Sequence, residues 1–241
     1  MGIEEIIVAA VKAYLEREKA KQDAQRSQEI IQAINDTVIE NQQVIQDALE
    51  DLEINRLTGL YLGQVENFKE YKPRDDHKYI LENIAFESNG EIFGPLIQLY
   101  GNESDVERIR KIVRLMVLVS HLRGLVMSEL KFRHNDDRDA DLLVQLKYVR
   151  DCCERLRDDQ DSQNFTPAFT AWRNCEANPP IDTVCIPTGE DDPWGEPTTC
   201  CIDQFNAYKP QRDLLNEDNE QLNNVEEAIS HLGGSILLKS I

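Results

Sequence analysis

The stretch Ile109–Leu130, IRKIVRLMVLVSHLRGLVMSEL, decides the fold. Its departures from apolar character are not scattered. Glu107, Arg110, Arg114, His121, Gly124, Ser128 and Lys131 fall at steps of three, four and seven, which is one narrow stripe of a helix. Ile, Val, Leu and Met fill most of the remaining positions. A helix that is apolar around most of its circumference belongs in the middle of a bundle, with neighbours on several sides. Ser104-Asp-Val-Glu107 reads as a capping box at its start, after the turn-like pair Gly101-Asn102. Ile112, Leu115, Met116, Val119, Leu122 and Val126 are the expected core. A membrane span needs about 20 predominantly apolar residues. Arg114 and Arg123 leave only Leu115–Leu122 between them, too short to cross.

With 241 residues and 41% hydrophobic content, the chain can bury a substantial core. A net charge of −19 argues against nucleic acid as a partner, because phosphate contacts need clustered Lys and Arg. It also disfavours adsorption of the native surface to anionic lipid. The opening Met1-Gly-Ile-Glu-Glu is acidic and lacks the basic and apolar regions of a secretory signal. Gly2 does not begin a myristoylation motif, since Ile6 stands where Ser or Thr is required.

The cysteines point in another direction. All six lie in one stretch: Cys152, Cys153, Cys175, Cys185, Cys200 and Cys201. An even number among Pro and Gly resembles a disulfide-stapled subregion, with all six as candidates. Buried thiols are the second reading. Metal is the third, because two adjacent Cys-Cys doublets fit zinc spacing poorly. Disulfides imply eventual exposure to an oxidising environment, which sits uneasily beside the missing signal.

Along the chain, Ile3, Ile6, Ile7 and Tyr14 mark an apolar face of a first amphipathic helix. From Ile31 the spacing tightens to heptads: Ile34, Val38, Asn41, Ile45, Ala48, Leu52 and Asn55. No Gly or Pro interrupts residues 3–58, so one long coiled-coil-like helix is expected, with a break near residues 26–28 as the alternative. Gly59 and Gly63 suggest a bend or a close helix crossing before Pro73. A short helix over 76–87 has Tyr79, Ile80, Ile84 and Phe86 as core candidates. Asn89-Gly90 reads as a turn, and Pro95 as the first residue of another short helix. Asp136–Asp141 lacks the Gly and Glu of a calcium loop and reads as a solvated helix start. Thr166-Pro167 is expected to cap a helix bearing Phe169 and Trp172. Residues 175–201 hold four cysteines, five prolines and two glycines, a long irregular excursion. The last helix, with Leu215, Leu222, Val225, Ile229 and Leu232 at heptad-like spacing, is expected to stop at Gly233-Gly234. Its seam is expected to pack against Ile31–Leu52. Ile236, Leu237 and Leu238 then form an apolar tail.

The expected architecture is therefore all-α, an elongated bundle with long coiled-coil-like helices. Residues 1–160 form its helical body, 161–202 an irregular Cys/Pro-rich lobe inserted before the last helix, and 203–241 a returning helix. No phosphate-binding loop, zinc-protease, nucleophile-elbow or di-metal helix motif occurs, so no catalytic residue, cofactor or metal set emerges. His121 is expected to be structural, since no nucleophile or orienting carboxylate is fixed near it. Two functional expectations remain. The first is a non-enzymatic structural or interaction protein that pairs with a protein partner or itself. The second is a helical pore-forming protein, with Ile3, Ile6, Ile7, Tyr14, Ile236, Leu237 and Leu238 entering lipid, the one reading that involves a membrane.

Overall fold

The computed structural model describes residues 52–72, 74–179, 185–190 and 192–239. Among them the regular structure is all helical, apart from one isolated antiparallel bridge between Pro187 and Thr198. The helices are α1 (Leu52–Glu70), α2 (Lys78–Glu87), α3 (Gly94–Asn102), α4 (Val106–His134), α5 (Asp139–Gln160), α6 (Thr166–Ala177) and α7 (Ile202–Lys239). The Cys-rich irregular segment lies before the last helix, as its composition predicts. The chain divides into two compact units, parted between Cys152 and Cys153 and again between Gln221 and Leu222. Those divisions fall inside α5 and α7, whereas the composition changes near residues 160 and 202.

The larger unit is organised around α4. Its six expected core residues are each 3% exposed or less. Met127 packs with Leu142 of α5 and Leu232 of α7, and α1 packs on α4 as well, so helices from both ends of the described chain reach it. The cap lies one residue later than Ser104. Asp105 Oδ1 accepts the Arg108 N–H at 2.8 Å, while the Glu103 carboxylate takes the N–H groups of Ser104 and Asp105. At the other end Asn135 adopts the left-handed conformation (φ 54°), and the Asp136 N–H returns to the Leu130 carbonyl. That closure is one of the usual helix stops, and Asn tolerates it better than most residues.

The polar stripe of α4 is partly interior: Arg110, His121 and Ser128 are buried, Arg114, Gly124 and Lys131 are half-buried, and Glu107 is exposed. Ser120, Arg123 and Glu129, off that stripe, are buried as well. Several have partners that offset desolvation. Arg110 pairs with Glu107 at 2.6 Å, and Tyr71 donates its hydroxyl to Glu129 at 3.1 Å. Ser120 donates to the Met116 carbonyl and accepts from Gln145 Nε2 at 2.7 Å. Residues 136–141 are less solvated than expected, because Asp139 is buried in an ion pair with Lys131. Arg138, hydrogen-bonded to Asp136 at 2.8 Å, holds that carboxyl below its usual range.

Two prolines read as helix starts after turns sit instead in nearly continuous helix. Residues 88–93 and 161–165 are π-helical, each leading directly into the helix that carries Pro95 or Pro167 near its first position. Proline withholds an N–H and crowds the preceding turn, and a wider turn accommodates both defects without ending the helix. Asn89-Gly90 is accordingly part of a helical turn, and Thr166 does not cap. Its hydroxyl donates to Asp161 at 2.8 Å.

Other expectations are corrected by the faces the helices bury. Tyr79 and Phe86 are exposed, and α2 turns Leu81, Ile84 and Ala85 inward. Gly59 and Gly63 make no close crossing. They lie on the exposed side of an unbroken α1, with no described atom within 4 Å of a Cβ at either position. Leu52 and Asn55 are exposed as well, because the buried face of α1 runs through Ile54, Leu57, Tyr61, Val65 and Phe68. That face is two residues out of register with the heptad read from residue 31 onward. α7 does not stop at Gly233-Gly234 but continues to Lys239. The seam proposed over Ile31–Leu52 lies, apart from Leu52, outside the described residues.

The smaller unit has a different core. Trp172, Cys201, Phe205 and Tyr208 are fully buried, with Phe165, Phe169, Cys175 and Cys200 packed around them. Trp172 stacks on Tyr208 with ring centroids 4.8 Å apart and meets Phe205 edge-on at 5.1 Å. Two disulfides close it, Cys175–Cys201 and Cys185–Cys200.

Candidate functional site

The stapled loop between α6 and α7 is the most constructed surface among the described residues. Both disulfides anchor it at the start of α7, through the adjacent residues Cys200 and Cys201. Glu176 forms a third tie. Its carboxylate accepts from the Trp172 indole N–H at 3.2 Å, from the Thr198 N–H at 2.9 Å and from the Thr198 hydroxyl. The backbone N–H of Thr188 and of Thr199 pair across the loop with Pro197 and Ile186. Asp192 shapes the tip. It accepts the Trp194 N–H at 3.0 Å through its side chain and the Gly195 N–H at 3.0 Å through its carbonyl. The turn needs Gly195 at φ 126°, a conformation that a side chain would strain. The same carboxylate is almost wholly buried in an ion pair with Arg212 and accepts from the Tyr208 hydroxyl. Burial, then the Asp192 charge, pushes that phenol up to about 12.

What this scaffold presents is apolar. Trp194 and Ile186 are each 56% exposed, and Trp194 rests edge-on against Phe169 at 5.7 Å. The surround is acidic. Residues 153–221 hold fifteen Asp and Glu against five Arg and Lys, more than half of the net charge of the whole chain.

No family model, curated protein or solved structure matches this chain. Function has to be argued from the geometry.

The larger unit holds a second feature, a cavity of about 530 Å³. Phe93, Ile97, Val144 and Tyr148 give it apolar walls, and Arg123, Asp141 and Gln145 contribute its polar edge. Phe93 and Tyr148 meet edge-on at 6.2 Å. Arg123 is 6% exposed and its Nε has no hydrogen-bond partner, as is true of Gln145 Oε1. Desolvation lowers the guanidinium to about 10, Asp141 opposing and Arg138 reinforcing that shift, so it stays charged at neutral pH.

The residues singled out by sequence divide unevenly. Four of the six cysteines pair, whereas Cys152 and Cys153 are buried on α5 and take part in neither disulfide. Successive helix positions point about 100° apart, which sets the two side chains on different faces. Burial raises the Tyr148 phenol above its ordinary range, and Cys152 one turn along the helix adds to the rise. His121 is buried with no partner on Nε2, and desolvation takes it down to about 4. It is therefore neutral at pH 7, with no nucleophile paired to it. Among the described residues no group of three His, Cys, Asp or Glu is placed to hold a metal ion, and no helix is long and apolar enough to cross a membrane. Ile3, Ile6, Ile7 and Tyr14 lie outside the described residues, as do the side chains of Ile236, Leu237 and Leu238. Trp194, Glu176 and Asp192 were not singled out by sequence. Asp-Pro-Trp-Gly is a turn signature that marks the tip, but nothing local reveals which carboxylates clamp the loop.

Proposed function

We propose that the protein is a non-enzymatic interaction protein and that it meets its partner through the stapled loop, with Trp194 and Ile186 as apolar anchors. The observation that carries this reading is a half-exposed tryptophan held on a loop tied by two disulfides and the Glu176 clamp. Single exposed apolar side chains are ordinary on protein surfaces. A rigid scaffold beneath one changes its value, because ordering a flexible loop would otherwise cost affinity. Tryptophan is also the side chain most enriched at energetic centres of interfaces. The acidic surround favours a partner with an apolar pocket rimmed by Lys and Arg, which would speed encounter and set orientation.

A photo-cross-linker at position 186 should capture one protein from cells that make the chain. The purified partner should then bind Trp194→Ala about 30-fold more weakly than the native chain, the loss expected of a central anchor. The variant should melt at an unchanged temperature. Undiminished binding by both Trp194→Ala and Ile186→Ala would remove the reading. Dye release from liposomes by the full chain, abolished by deleting residues 2–15, would put the pore-forming reading ahead.

A further inference from the structure

The cavity of the larger unit is independent of the stapled loop and carries its own chemistry. A guanidinium that is 6% exposed is costly to keep charged unless something pairs with it. Arg110, on the same helix and buried to 2%, has Glu107 at 2.6 Å. Among the described residues Arg123 has no hydrogen bond or ion pair of that kind, although Asp141 lines the same cavity. Gln145 adds a second unmet group. Its amide nitrogen is committed to Ser120 while its carbonyl oxygen bonds nothing. A nearly buried guanidinium lining an open, largely apolar-walled pocket of about 530 Å³, with Asn89, Asp141 and Gln145 as its other polar residues, describes a ligand site, in the size range that small molecules occupy.

We infer that this cavity binds a small monocarboxylate with an apolar body, its carboxylate on the Arg123 guanidinium and its body between Phe93, Ile97 and Tyr148. Carboxylate fits better than phosphate for two reasons. One guanidinium fork matches one planar carboxylate in bidentate geometry. A dianion would meet the Asp141 carboxylate in the same cavity, within a chain already at −19. Phe93 and Tyr148, edge to face, provide a wall suited to an aryl or short alkyl group.

The test is calorimetric titration of the full, oxidised chain with 3-phenylpropanoate, its amide and inorganic phosphate. The acid should bind with a Kd of about 1 mM or tighter, and the amide and phosphate at least about tenfold more weakly. Arg123→Met should lose the acid by a similar factor while melting no lower than the native chain, since it removes an unpaired buried charge. If Arg123→Met fails to fold, Val144→Glu is the second variant. That position is 71% exposed, so the substitution leaves the core intact and sets a repelling charge at the cavity wall. It too should weaken the acid about tenfold or more. Equal binding of acid and amide, preference for phosphate, no heat with any probe, or full affinity in the variant that folds would each overturn the inference.

Discussion

The two units solve the same problem with different materials. The larger one is built around a single, mostly aliphatic helix, packed by aliphatic and aromatic side chains together, Tyr61 and Phe68 of α1 among them, and from Ile109 to Leu130 only Lys111, Arg114 and Gly124 escape full burial. The smaller one, residues 153–221, rests on three buried aromatic rings and sulfur, and closes its core with two disulfides and a carboxylate clamp. Size explains the contrast. A short segment exposes too much surface relative to its volume for an aliphatic core alone, and covalent staples supply what packing cannot. The consequence for function is that the unit with less core to spend carries the covalently tied surface loop.

Removing Trp172 should have the largest effect. Its ring touches Phe169, Phe205 and Tyr208, and its indole N–H is bonded to Glu176. Trp172→Ala should cost about 3–5 kcal/mol by denaturant unfolding, lost by the smaller unit. A change below about 1 kcal/mol would mean that the disulfides alone hold it. Leu115→Ala in α4 should cost about 3 kcal/mol. An effect near zero would remove α4 from the centre of the larger unit.

Acid should separate the units as well. His121 titrates near 6.5 when unfolded and at about 4 in the fold. Between these values the unfolded chain holds the proton that the fold rejects, so stability rises with pH through that window. From above pH 7 down to pH 5 the larger unit should lose about 2 kcal/mol, and His121→Leu should flatten the slope. The Asp136 and Glu103 carboxyls, held below their usual range, add their losses only at lower pH. An unchanged slope in His121→Leu would show that other groups govern the response. The smallest effect concerns α1. Gly59→Ala should raise the melting temperature, by about 0.5–1 kcal/mol of stability, because the position is helical and open. A destabilised variant would restore the close crossing.

Legibility in the sequence followed the same division. The core of α4 was readable because the whole stretch Ile109–Leu130 repeats one pattern and the helical period averages out individual exceptions. Which of its polar residues are buried was not readable, since periodicity identifies a face but cannot say whether that face meets water or a neighbouring helix. Gln145 answering Ser120 depends on such a neighbour. The π turns before Pro95 and Pro167 were invisible because a proline signals a helix start and an accommodated interruption equally well. In the stapled lobe the cysteine cluster announced disulfides, yet spacing could not separate Cys152 and Cys153 from the four that pair. Trp194 and Arg123 were missed because the significance of each comes from partners distant in the chain, or from the lack of them.

Reduction tests the dependence of the loop on its staples most directly, and the chain contains its own probe. Both tryptophans lie in the smaller unit, Trp172 fully buried and Trp194 half exposed. Closing a loop of 26 residues is worth about 3.5 kcal/mol on chain-entropy grounds, a large share of what a small core can supply. With the disulfides intact, acrylamide should quench one tryptophan readily and spare the other. After dithiothreitol both should quench and the emission should shift to the red, while the α-helical circular dichroism of the larger unit persists. Trp172 that stays protected after complete reduction would contradict the view that covalent staples, rather than packing, keep this loop in place.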